Sequence, residues 1–110
     1  MIEEIIIRYL NKNLNVPTYA EMPEDKQGSF ILIEKAGSSR NNYINSATIV
    51  LQSYAKSMNE AARLNEEVKS AMDDIIIHEQ ISKSKLNSDY NYTDTERKQY
   101  RYQAVYEVFY

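Results

Sequence analysis

The chain has 110 residues, 43% apolar and 26% charged, with 16 acidic against 13 basic side chains and a net charge of −3 at pH 7. These values fit one globular domain over residues 1–110, with a core hiding about two-thirds of the unfolded surface. They exclude a disordered chain and argue against a general nucleic-acid binder, which carries a basic surplus. Cysteine is absent, which removes disulfides and thiolate metal sites and points to assembly or action in a cytoplasm.

Residues 2–14 read as a helix, because Ile2, Ile5, Ile6, Tyr9, Leu10 and Leu14 recur at spacings of three and four. Glu3 and Glu4 fall in its first turn, where the helix dipole favours acid. They also sit where a signal peptide would need positive charge, and no apolar run approaches the roughly 20 residues that cross a bilayer. Pro17 forces Val16 into an extended conformation, which ends the helix.

Residues 17–28 hold Pro17, Pro23 and the turn signal "PEDKQG". A strand is expected over about 29–36, "SFILIEKA". The polar stretch "GSSRNN" from Gly37 to Asn42 follows as a loop, and a long strand covers about 43–55, "YINSATIVLQSYA". The two strands and their loop make an antiparallel hairpin. Ser57, followed three residues on by Glu60, is a capping-box pattern opening a helix to about residue 77. Ala61, Leu64, Val68, Ala71, Met72, Ile75 and Ile76 form its apolar stripe. Strands are expected at about 80–90 and 98–110, joined by "NYTDTERK". The order α-β-β-α-β-β implies an α+β domain, a mainly antiparallel four-stranded sheet with both helices on one face.

The last strand is rich in tyrosine. Its even positions carry Tyr100, Tyr102, Ala104, Tyr106, Val108 and Tyr110, and its odd positions Arg101, Gln103, Val105, Glu107 and Phe109. The even face is the more apolar and is expected to pack under the helices, since a tyrosine ring can be buried while its hydroxyl finds a partner. A platform for single-stranded nucleic acid is the competing reading, because Arg97, Lys98 and Arg101 adjoin the tyrosines; the acidic balance weighs against it. On the uncovered face of the sheet, Ile49, Leu51, Val105 and Phe109 are expected as a subunit interface, because an exposed apolar patch marks a protein partner.

Chemistry-bearing patterns are sparse, and no enzyme is expected. The single histidine, His78, falls near a helix C-terminus, where it satisfies carbonyls and the dipole. Asp73 and Asp74 diverge around a helix, and Asp89 and Asp94 match no calcium loop, so all four read as solvated face. No metal or other cofactor is expected. The acidic pair Asp73–Asp74 lies at the end of its helix that disfavours negative charge by some tenths of a kcal/mol, a penalty that a partner's basic residue would offset and that the fold can equally well tolerate.

Residues 16–72, from "VPTYAEMPEDKQG" through "FILIEKAG" to "LQSYAKSMNEAARLNEEVKSAM", and the closing "LNSDYNYTDTERKQYRYQAVYEVFY" resemble the tail terminator (tail completion, head–tail joining) proteins of long-tailed phages, of the type found in phages and prophages of Gram-positive bacteria. The most distinctive part is "LQSYAKSMNEAARLNEEV", a strand passing directly into a capped helix. The resemblance implies a small subunit of a six-membered ring at the head-proximal end of the tail tube. It also implies contacts to the tail tube protein and the head connector protein, with DNA passing through without base-specific contact. No catalytic residue carries over. A ring needs two different patches per subunit: the uncovered sheet face is one candidate, and the loop Ser38, Ser39, Arg40, Asn41 and Asn42 is a candidate projecting contact. Another head–tail connector component is the alternative within the same class.

Overall fold

The computed structural model describes residues 1–25 and 28–110. The turn expected over Pro23–Gly28 includes two residues outside that set. Helix α1 spans Ile2–Asn13 and helix α2 Met58–Asp73. Strands are β1 (Thr18–Tyr19), β2 (Phe30–Asn41), β3 (Ile44–Ala55), β4 (Lys83–Asn91) and β5 (Tyr100–Phe109), with a 3-10 turn at Ile75–Ile77. The five strands form one mixed sheet in the order β1-β2-β3-β5-β4. All pairings are antiparallel except β1 with β2, which is parallel. The α+β class stands, with a fifth strand added: Thr18 and Tyr19 pair with Ile31 and Leu32. Pro17 contributes its carbonyl, which accepts from the Ile31 amide at 2.9 Å.

The helices form where the apolar spacing places them. Ile2, Ile6 and Leu10 of α1 and Leu64, Val68, Ala71 and Met72 of α2 are buried on the same side of the sheet, in one cluster, and Ala61 of α2 is buried as well. The Ser57 hydroxyl accepts from the Glu60 amide at 3.1 Å and caps α2. This helix ends earlier than expected, at Asp73. Asp74 donates its amide to the carbonyls of Ala71 and Met72, and the three isoleucines that follow tighten into the 3-10 turn. Ile75 is buried there, whereas Ile76, assigned to the apolar stripe, is exposed. Tyr9 ties the helices together, its hydroxyl donating to the Ala71 carbonyl at 2.7 Å.

The stretch expected as a loop is strand. β2 continues to Asn41, passing a bulge between Lys35 and Gly37, and Asn41 pairs with Ile44. Ser38, Ser39, Arg40 and Asn41 therefore lie on an exposed strand, and only Asn42 belongs to the two-residue turn Asn42–Tyr43. Both turn residues have positive φ, 52° and 67°, as the tightest twist-compatible hairpins require. Glycine and asparagine rank low as strand formers, so composition hid this end of the hairpin. Cross-strand pairing holds it instead: the Ser39 and Ser46 hydroxyls are hydrogen-bonded at 2.8 Å.

Candidate assembly surfaces

Register decides what each face of the sheet carries. β5 places Ala104, Tyr106 and Val108 under the helices, all fully buried, with Tyr100, Tyr102 and Tyr110 half-buried around them. The even positions of this strand do face the core. Ile49 lies opposite Tyr106 and Leu51 opposite Ala104, so these two share the helix-covered face and are fully buried in the core cluster. Their expected place in a subunit interface is overturned. Their partners across β2, Lys35 and Ile33, point the same way; Lys35 forms an ion pair with Glu3 of α1 at 3.8 Å.

Val105 and Phe109 do lie on the second face, half-buried. Val50, opposite Val105, is the aliphatic residue of β3 beside them. Around these side chains the second face is largely polar and aromatic, and it satisfies itself. A hydrogen-bond chain crosses it from Arg101 to Tyr90. The Arg101 guanidinium donates to the Tyr54 hydroxyl at 3.2 Å, which donates to Gln52 Oε1 at 3.2 Å. Gln52 donates to Gln103 Oε1 at 2.7 Å, and Gln103 donates to the Tyr90 hydroxyl. Phe30 stacks on Tyr54 with ring centroids 4.7 Å apart, and Arg101 lies over both Tyr54 and Tyr92, at 5.6 and 4.7 Å. Thr48 donates to Glu107 at the next step, and Lys83 sits over the Phe109 ring at 5.6 Å. Arg101, which the competing nucleic-acid reading would need free, has its cationic face occupied by tyrosines of its own chain.

Beyond the helices the hairpin end is bare. All eight β2 residues from Glu34 to Asn41 are exposed, and at its tip Tyr43 is 88% and Ile44 53% exposed. The long axis of the molecule is 45 Å, against 25 and 24 Å for the others.

The titratable groups do structural work. Asp89 is not on a solvated face: its Oδ2 accepts from Asn65 at 2.9 Å and from Lys69 at 3.0 Å. That hydrogen bond, followed by a second to Glu66, raises the Lys69 pKa above the ordinary lysine value. Asp94 accepts from the Arg97 amide at 3.3 Å and closes a turn. His78 ends the 3-10 turn, and its Nδ1 accepts the Gln80 amide at 3.2 Å instead of donating to helix carbonyls. Tyr106 is fully buried, and its hydroxyl has no hydrogen-bond partner among the described residues. Burial first, then the carboxylates of Asp73, Asp89 and Glu66, pushes its phenol far above the usual tyrosine value. Among the described residues no three His, Asp or Glu side chains gather as a metal site, and no helix is long and apolar enough to cross a membrane.

Compared with known proteins, the chain matches no protein-family model and no curated protein.

Proposed function

We propose that this chain is a non-enzymatic virion subunit of the tail terminator kind. Six copies close a ring at the head-proximal end of the phage tail tube. The ring stops tube growth and offers the surface to which the head connector joins, while DNA passes through without sequence-specific contact. The protein acts in the virion after assembly in the host cytoplasm. The observation that carries this reading is the resemblance of residues 16–72 and 86–110, which together span most of the chain.

Two structural features support it. The helices cover one sheet face only, leaving Val105 and Phe109 half-buried on the other. An exposed hairpin end carries the large side chains Tyr43 and Ile44 into solvent. A head-to-tail ring needs two such unlike patches on each subunit. The same features suit another ring component of the head–tail connector, and position in the virion separates the two. A single-stranded nucleic-acid module is disfavoured by the engagement of Arg101 between Tyr54 and Tyr92.

Cryo-electron microscopy of assembled virions tests the proposal. Density for this chain as a sixfold ring between tail tube and connector is expected, and a knockout should give tails of uncontrolled length. Its absence from virions refutes the structural reading. Its presence in a ring on the head side, with normal tail length in the knockout, selects the connector alternative.

A further inference from the structure

We infer that the hairpin tip of one copy docks in the groove between α1 and the C-terminal half of α2 on a second copy. This rests on the ring reading and names its head-to-tail contact.

The groove is visible between the helices. One part, about 410 Å³, lies between Tyr9 and Asn13 of α1 and Glu66, Glu67 and Ser70 of α2. It runs past Asp74 into a second part of about 530 Å³, flanked by Arg8, Lys12 and Ile77. Ile77 is 83% exposed there. No residue of the hairpin tip lines either part, so the tip does not reach its own subunit's groove.

The tip has matching properties. Tyr43 in the turn and Ile44 at the start of β3 are the most exposed large apolar side chains of the hairpin. Tyr43 holds φ at 67°, a conformation that costs a tyrosine strain and that glycine adopts freely. The turn requires that φ, but not an aromatic side chain, and the ring is left 88% exposed at the apex. Arg40 is the one charged side chain between Ala36 and Ser46. It forms no ion pair among the described residues and lies over the Tyr43 ring at 5.8 Å.

Charge sets the register of docking. Glu67, Asp73 and Asp74 have no ion-pair partner among the described residues, and Glu66 pairs only with Lys69. Arg8 and Lys12 repel a cation from the other part of the groove. Arg40 is thereby directed to the α2 end, beside the acidic residues that sit at the unfavourable end of their helix dipole. Tyr43 and Ile44 then reach the apolar surface. Opposite charges meet and unlike patches pair, as a heterologous contact demands.

The absence of cysteine makes the test direct. Asn41→Cys and Ser70→Cys variants, both at exposed positions, are mixed under mild oxidation. Ser88→Cys on β4 replaces Ser70→Cys as the control. Docking raises the effective concentration of paired thiols, so Asn41→Cys should cross-link to Ser70→Cys about tenfold or more above the control. Adding Arg40→Glu to the first partner, or Glu67→Arg to the second, should bring the yield down to the control. Adding both should restore it. Equal yields for Ser70→Cys and Ser88→Cys, or yields blind to either charge reversal, overturn the inference. A chain carrying both Asn41→Cys and Ser70→Cys should give a ladder ending in a closed six-copy product. A ladder that ends elsewhere leaves the contact standing and refutes the six-membered ring.

Discussion

Replacing Tyr106 with phenylalanine is expected to stabilise the protein. Tyr106 is fully buried beneath α2 and its hydroxyl is unpartnered among the described residues. Leaving a buried hydroxyl without a partner costs about 1–3 kcal/mol, while the void left by one oxygen returns part of that as lost contacts. A net gain of about 1 kcal/mol at pH 7 is the result. The pH dependence gives an independent check. Burial and three nearby carboxylates raise the phenol's folded pKa above its unfolded value near 10.0. The folded state therefore keeps this proton where the unfolded state has released it. The associated stability is fully present below the ordinary tyrosine value and declines as pH rises towards the higher folded value, at up to about 1.36 kcal/mol per pH unit. Tyr106→Phe removes that decline. Urea unfolding at pH 7, 9.5, 10.5 and 11 measures both effects. A variant less stable by about 1 kcal/mol at pH 7 shows that the hydroxyl has a partner, and an undiminished alkaline slope shows that the phenol's pKa is not raised; either result refutes the reasoning.

Leu51→Asp is expected to unfold the subunit, because it buries an unpaired carboxylate in the core, whereas Phe109→Asp should leave it folded and disturb assembly; circular dichroism and tail-length measurement separate the two, and a folded Leu51→Asp protein refutes the assigned face. Asp89→Asn should cost on the order of 1 kcal/mol. It should also flatten the alkaline limb: the raised Lys69 pKa gives stability present below the ordinary lysine range and lost as pH climbs through the folded value, and a limb like the wild type's would exclude the pair as a contributor. Tyr43→Gly should relieve backbone strain and stabilise the isolated subunit by about 0.5–1 kcal/mol while weakening self-association by sedimentation; destabilisation instead would place the tyrosine ring against its own subunit. A fluorescent single-stranded oligonucleotide at moderate salt should show no saturable binding tighter than about 10 μM, and sub-micromolar binding abolished by Tyr102→Ala would restore the nucleic-acid reading.

The helices were legible because each signals itself locally. α1 repeats isoleucine and leucine at helical spacing, and α2 adds a serine cap that the structure uses. The inward face of β5 was legible from its even-numbered aromatics. β1 left no trace, since two residues cannot show a period and their pairing is fixed by the distant strand β2. The inward face of β3 was misjudged because Ile49, Val50 and Leu51 are apolar in succession. The window 46–52 held the signal: its odd positions Ala47, Ile49 and Leu51 are all apolar, while of its even positions Ser46, Thr48, Val50 and Gln52 only Val50 is. The outer hairpin was misread as a loop because its strand character comes from cross-strand partners and not from its own residue types. Asp89 looked solvated because its partners Asn65 and Lys69 lie on another element.

The two faces of the sheet follow different physical rules. The covered face is held by apolar burial, which is non-directional and tolerates changes of neighbour. The second face is held by a directional chain from Arg101 through Tyr54, Gln52 and Gln103 to Tyr90. Each member is both supported and constrained by the next, so the face keeps one shape without a layer of helices over it. A subunit that must present a fixed surface to its neighbours gains from this arrangement. The polar ladder reduces the need to cover the face, and Val105 and Phe109, with Val50 beside them, remain as its apolar patch. The outer hairpin is held by its own cross-strand pairing, including the Ser39–Ser46 hydrogen bond, but no other element covers its exposed Tyr43 and Ile44, and in the proposed ring a second molecule would supply that cover.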